Sequence, residues 1–408
     1  MEPVSERERI DSLDVLRGVA VLGILPVNIQ AFAMIDAAYA NPRAFGDLTG
    51  ANYIVWIMTH FCFEGKFITI FSLLFGAGIA LMNDRRSGSG SIPMRIHFRR
   101  MAVLLAIGLL HAYGVWHGDI LVAYALCGSI VYFFRMLQPG IQLGMSVAFY
   151  LVPVAMLLLL QATMPWWPAE DLAEFASEWN PDQAAIIEEL TAMRGSWWSQ
   201  MPLRAHQAML LQTGGFLVFT SWTGCGLMSM GMALFRRGMF NAAWPTSHYV
   251  GMIVAGLAVG LPLILLGVKL NESVSSNFAY SNLVGGIFNY LAAPCVAAAW
   301  IGIVMLTCRN SRLVHVKRWP AAVGRMALTN YLCQSLICSL IFFGHGLGLF
   351  GKVERVGQAM IVVLLWTVEI AISTLWLWRF RFGPFEWAWR CATYGTRQPF
   401  RRITISAG

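Results

Sequence analysis

Ser247-His-Tyr-Val-Gly-Met-Ile-Val-Ala-Gly-Leu-Ala-Val-Gly-Leu-Pro-Leu-Ile-Leu-Leu-Gly-Val-Lys-Leu270 carries no ionisable acid or base between Tyr249 and Lys269. A helix that crosses a bilayer needs about 20 consecutive apolar residues, and this stretch supplies them. Nine more stretches read the same way: Leu13–Phe32, Tyr53–Met82, Arg99–Trp116, Ile120–Phe134, Ile141–Met164, Met209–Phe235, Leu283–Cys308, Val323–Gly344 and Val356–Trp378. The second is long enough that it must tilt or break near Gly65, and the fourth is short. Composition agrees. The 408 residues are 57% hydrophobic and 12% charged, with mean hydropathy +0.60. Soluble domains run at about 25% charged. Too few charges exist to cover such a chain in water, which excludes a soluble enzyme, a disordered chain and a nucleic-acid module. The expected fold is an all-α polytopic membrane bundle of about ten helices.

Basic residues set the orientation. With both termini cytoplasmic, only Arg43, Arg194, Arg204, Lys269, Lys352 and Arg355 fall outside, Lys66 falls within a span, and the other 22 of the 29 lie inside. That is a strong positive-inside pattern. The net charge of +8 is therefore topological. Seven acids between Glu170 and Glu189 crowd the loop 165–208, placed outside. Pro168 and Pro181 suit first helical positions there, predicting two short amphipathic helices with Trp166, Trp167, Trp197 and Trp198 at the headgroups. The chain divides into a five-span half (1–164), this outer loop (165–208), a second five-span half (209–378) and a basic, aromatic cytoplasmic tail (379–408). The expected setting is the bacterial inner (plasma) membrane, with the bilayer as partner and oligomeric state open to a homo-oligomer. No cleavable signal peptide, disulfide framework or Cys-x-x-Cys metal pattern is read.

Small residues mark packing faces: Gly256 with Gly260, and Gly76 with Gly78. In the tail, Pro384 can open a helix and Gly395 close it. Its plain reading is a membrane-hugging helix; the alternative is a basic lid over a phosphate-bearing donor.

Ionisable groups inside a bilayer are costly and default to functional hypotheses. Asn28, His60, Glu64, Lys66, His111 and Asp119 reach similar depth toward the outside, and His117 lies at their margin. One polar pocket could gather them. His60 and Glu64, at i and i+4, share a helix face about 6 Å apart. Lys66 lies roughly 200° round from Glu64 on an unbroken helix, so it pairs elsewhere, with Asp119 as candidate, unless Gly65 interrupts. The bland alternative is a structural ion pair with satisfied histidines. Toward the cytoplasm, Arg17, Arg325, Asn330, Tyr331 and Gln334 form a second set. Arg17 and Arg325 can snorkel to the interface or receive a phosphate. No phosphate loop, Gly-x-Ser-x-Gly elbow or His-Glu-x-x-His helix is present.

These residues carry a resemblance. Leu13-Asp-Val-Leu-Arg-Gly-Val-Ala20, then Asn28-Ile, resembles the opening of the YeiB-like membrane proteins. Lys66-Phe, Leu74-Phe-Gly, His111 and Gly118-Asp-Ile-Leu do likewise. Gly324-Arg-Met-Ala-Leu-Thr-Asn-Tyr331 through Phe382-Gly-Pro-Phe-Glu-Trp387 resembles the domain of unknown function 418 that closes those proteins. The Leu-Asp-x-x-Arg-Gly opening is also similar to acyltransferase-3 type membrane enzymes and to heparan-alpha-glucosaminide N-acetyltransferase. The former place a His eleven residues after the Arg, where this chain has Asn28. The latter also has Asn there and takes its base eleven residues further on, where this chain has Tyr39. The resemblance implies acyl transfer from a cytoplasmic thioester such as acetyl-CoA, with no permanently bound cofactor and no metal. The acceptor is an outward-facing hydroxyl or amine on a small molecule, lipid or glycan. With Tyr39 in the base's place, His111 or His60 must serve as base, Asp119 orienting the former. Asn28 and Lys66 stabilise the oxyanion, and Arg17 and Arg325 hold the donor phosphates. The competing readings are a transporter of a small polar solute with a His/carboxylate proton relay, and a non-catalytic sensor or scaffold.

Overall fold

The computed structural model describes residues 11–84 and 94–402. Arg7, Arg9, Arg85 and Arg86, counted above among the inner cations, lie outside the described residues. Helix α1 (Asp11–Ala33) forms the centre of the bundle: 67% of its apolar window is buried, against 17% for 139–166 and 22% for 246–273. Those two outer stretches show side chains such as Leu159 and Val254 to the lipid. In a bilayer a helix satisfies its own backbone, so apolar side chains can face lipid at no cost.

A short turn, α2 (Ala37–Ala40), leads to α3 (Gly50–Cys62) and α4 (Lys66–Asp84). Gly65 sits at φ +78°, a left-handed conformation that breaks the long second span. Next come α5 (Met94–Gly114), α6 (Leu121–Val131) and α7 (Pro139–Thr163). The acidic loop folds as α8 (Ala169–Trp179) and α9 (Gln183–Met193). Neither Pro168 nor Pro181 takes the first helical position: Pro168 stands at the N-cap of α8, and Pro181 precedes Asp182, which caps α9 by accepting the Ala185 amide at 2.8 Å. α10 (Trp197–Gln212) runs through a π-helical turn, Phe216–Thr220, into α11 (Ser221–Arg236). α12 (Thr246–Ser273), α13 (Phe278–Tyr280), α14 (Ile287–Arg309), α15 (Val314–Arg325), α16 (Ala327–Phe342), α17 (Arg355–Arg379) and α18 (Pro384–Tyr394) follow among the described residues.

Among the described residues, seven helical stretches are long and apolar enough to cross a membrane. The three other expected spans fall short for visible reasons. α5 opens with Arg95, Arg99 and Arg100, which dilute its hydropathy. α6 has 11 residues and passes into a 3-10 turn. The ninth is divided at Met326 between α15 and α16.

Glycine sets the closest crossings. α1 packs on α15 where Gly18 meets Gly324: a Cβ on Gly18 would overlap the Pro320 carbonyl oxygen, and one on Gly324 the Asp14 carbonyl oxygen. Gly76 on α4 and Gly231 on α11 contact each other's helices in the same reciprocal way, through Met228 and Leu73. Close backbone approach replaces the hydrophobic drive that lipid removes.

Candidate functional site

The Gly18–Gly324 crossing has a direct chemical effect. Each glycine adjoins an arginine in sequence, so the contact brings Arg17 and Arg325 to one place. Both line a cavity of about 280 Å³, together with Arg100 and Arg390. Its interior is apolar and aromatic, with Phe71, Leu74, Tyr124 and Tyr331 among its walls. Arg17 Nη1 donates to Asp14 Oδ1 at 2.9 Å. Helix α18 closes one side through Trp389, Arg390 and Tyr394. Trp389 Nε1 donates to the Arg100 carbonyl (3.1 Å), and the Arg100 guanidinium stacks 4.6 Å over the Trp389 ring. α18 is thus packed on the bundle as a wall of this cavity. A phosphate beside four guanidinium groups, with an apolar tail inside, is the ligand chemistry such a cavity fits.

Tyr331 and Ile120 of this wall lead to a buried polar pair. His111, near the end of α5, sends Nδ1 to Asp119 Oδ2 at 2.7 Å. Asp119 Oδ1 accepts the Val122 amide at 2.9 Å, capping the start of α6. The side chains are 3% and 0% exposed. Arg204 and Trp197 of α10 both donate to the Gly114 carbonyl, at 3.1 and 2.8 Å, and fix the end of α5. The His111 ring lies 5.3 Å from the Tyr331 ring, and Nε2 is buried with no hydrogen-bond partner. One ring nitrogen is therefore anchored and the other is uncommitted; His111 itself lines neither cavity and reaches the first through the Tyr331 ring.

A second cavity, about 390 Å³, lies across Ile120 and Tyr124, which line both. Glu64, Asn289 and Tyr39 supply polar groups, and Tyr150, Phe219 and Tyr290 supply rings. Behind it the Gly65 break turns Lys66 inward, fully buried. Its ammonium donates to the His60 carbonyl (2.6 Å) and to Asn289 Oδ1 (2.5 Å). Asn289 Nδ2 donates to Glu64 Oε1 (3.1 Å), while Glu64 Oε2 pairs with His60 Nδ1 (2.7 Å).

The structure thus forms two polar networks rather than one pocket. Lys66 bonds to Asn289 and His60, not to Asp119, because Gly65 breaks the helix ahead of it. His117 joins neither: its Nε2 lies 3.3 Å from Asp36 Oδ1, in a cluster with Glu189 and Gln207. There Glu189 Oε1 accepts the Asp36 amide at 2.9 Å. Burial, and then the Asp36 charge, push the Glu189 carboxyl up to about 7. Asn28 is half-buried on α1 and lines neither cavity. Asn330 is occupied between helices, donating to the Val323 carbonyl (3.2 Å) and Ser373 Oγ (3.0 Å). Among the described residues, no group of three or more His, Cys, Asp or Glu could hold a metal ion.

The chain is 32% identical to "Uncharacterized protein YeiB" of Escherichia coli (strain K12), over 96% of this chain and 98% of that one. The chain belongs to the YeiB-like family. "Uncharacterized protein YxaH" of Bacillus subtilis (strain 168) is 30% identical over 99% of both chains. A third relative, "Uncharacterized 39.9 kDa protein in amylase 3'region" of Bacillus acidopullulyticus, is 23% identical over 98% of both. Residues 234–396 match the family model described as "Protein of unknown function (DUF418)". In this YeiB-like chain the matched stretch contributes Arg325, Tyr331, Glu386 and Arg390 to the basic cavity and Asn289 to the other. Sequence reasoning missed Tyr124, which sits among apolar residues of a span with nothing to distinguish it. It counted Arg100 as topology alone, although its place beside the helix start on the basic side was a usable signal.

Proposed function

We propose that this protein is a transmembrane acyltransferase of a bacterial inner membrane with both termini cytoplasmic. An acyl thioester such as acetyl-CoA enters the basic cavity as substrate, and a hydroxyl or amine acceptor enters the second cavity from the opposite face. The observation that carries this reading is His111, with Nδ1 held by Asp119 and Nε2 uncommitted beside the Tyr331 wall. Nε2 takes the acceptor's proton as its oxygen or nitrogen attacks the thioester carbonyl. The carbon–sulfur bond then breaks, and the thiolate leaves with the proton returned from the imidazolium. Asp119 fixes the ring and balances its charge. The Tyr331 hydroxyl accepts the Ile120 amide at 3.3 Å, so its own proton is available to a developing oxyanion. That assignment moves the oxyanion role from Asn28 and Lys66, which are placed elsewhere or already engaged. Arg17, Arg100, Arg325 and Arg390 meet the donor's phosphates.

The test uses full-length protein in nanodiscs with labelled acetyl-CoA. His111→Gln is expected to cut acyl transfer by about 10²–10⁴-fold while thioester binding and Tm hold. Wild-type protein that binds no thioester overturns the reading. A second reading, solute transport, draws support from Lys66 at a broken helix in contact with His60 and Asn289, the arrangement in which transporters place ion-coupled sites. Solute counterflow in proteoliposomes, abolished by Glu64→Gln, is its test.

A further inference from the structure

We propose that the second cavity is a binding site for a neutral, polyhydroxylated ring of about one pyranose in size. The inference deepens the acyl-transfer reading by naming the acceptor. It rests on volume, charge and the disposition of polar and aromatic groups.

A volume of about 390 Å³ lies at the small end of ligand pockets, which span roughly 300–1,000 Å³. Glu64 and Asn289 occupy one part of the lining, and Tyr39 joins them from α2. Thr223 adds a hydroxyl, already 2.9 Å from the Tyr290 hydroxyl and with a lone pair to spare. Tyr290 stacks on Tyr150 with centroids 4.3 Å apart and rings 6° from parallel, and Phe219 packs edge-on against it. Flat carbon faces beside hydrogen-bonding groups suit a ring with C–H faces and hydroxyl edges.

Charge narrows the class. Among the described residues Glu64 is the only carboxylate in the lining, and no Lys, Arg or His lines the cavity. Asn289 couples the Glu64 carboxylate to the Lys66 ammonium buried behind the lining, so neither an anion nor a cation finds a net opposite charge to offset its own desolvation. A neutral ligand pays neither penalty, and its hydroxyls can donate to the Glu64 carboxylate, the strong type of hydrogen bond.

Full-length protein in nanodiscs, without any thioester, is titrated with methyl α-glucoside, glucosamine and glucuronate, following Tm. Only the neutral glycoside is expected to raise Tm, by mass action on the folded state. Tyr39→Phe, a change at a half-exposed residue that the fold tolerates, and Glu64→Gln are each expected to weaken its binding about tenfold. Equal stabilisation by glucosamine or glucuronate overturns the proposal, as does no stabilisation by any of the three or undiminished binding by both variants. Glycoside binding with no thioester binding would defeat acyl transfer and leave this site standing. Thioester turnover with no glycoside binding would do the reverse.

Discussion

Glu386 and Thr329 cap each other's helices. Glu386 Oε1 accepts the amides of Leu328 and Thr329, at 2.6 and 3.0 Å, at the start of α16. Thr329 Oγ1 donates to Glu386 Oε2 at 2.5 Å and accepts the Phe385 amide at 3.2 Å, at the start of α18. Helix N-termini expose amides with no partner in their own helix. Here each helix supplies the other's acceptor, so α18 is registered on the bundle by hydrogen bonds rather than by apolar area alone.

Glu386→Ala removes both acceptor oxygens and leaves buried amides unsatisfied. A lost cap costs about 0.5–2 kcal/mol. Tm is expected to fall, and protease is expected to cut near Gly383 in the variant before the bundle unfolds. Uncut protein with unchanged Tm would show that α18 is held by other contacts.

Asp119→Asn retains an acceptor for the Val122 amide but loses the charge that orients His111. Acyl transfer is expected to drop in kcat by about 10²-fold with KM little changed. A rise in KM alone would assign Asp119 to binding.

Tyr124 lines both cavities, its hydroxyl 2.8 Å from Ser72 Oγ. On the acyl-transfer proposal, Tyr124→Leu is expected to open the partition and let water reach the thioester. Hydrolysis without acceptor is expected to rise, whereas Tyr124→Phe, which keeps the ring, stays at the wild-type level. Equal hydrolysis in both variants would refute the partition role.

Glu189 is raised from 4.5 to about 7 by burial and the Asp36 charge. A raised acid contributes stability that is fully present below its unfolded value, near 4.3, and is lost as pH rises through about 7. Between pH 4.5 and 7.5, Tm of wild-type protein is expected to fall more steeply than Tm of Glu189→Gln. Parallel curves would place the proton elsewhere.

Topology has its own check. With native cysteines replaced, an impermeant thiol reagent added outside is expected to label Glu178→Cys and miss Ser311→Cys, both exposed positions. The opposite pattern inverts the orientation.

The helical membrane bundle was legible because lipid imposes a length and a hydropathy that single residues cannot disguise. The His60–Glu64 contact was legible because i,i+4 spacing acts within one helix. The partner of Lys66 was not. Gly65 raised two outcomes in sequence, tilt or break, and only the break lets Lys66 reach Asn289 on a helix more than 200 residues away. The reciprocal Glu386–Thr329 caps were equally hidden, since each residue reads as an ordinary helix former or cap until its partner helix is in place. Asn330, polar in an apolar span, drew attention for function yet links α16 to α17, where Ser373 satisfies it.

The Gly65 break also decides how the site responds to voltage. Lys66 and Glu64 lie within one membrane-crossing stretch, joined through Asn289. A lone charge displaced through the full field exchanges about 2.3 kcal/mol per 100 mV. Two opposite charges held together present a dipole a few ångströms long, on which the field does almost no work. A neutral ligand that binds without moving either charge is therefore expected to keep the same affinity in an energised cell and a de-energised one. Neutralising either partner alone would leave a net charge in the membrane, and any displacement of that charge on binding would couple occupancy to the potential.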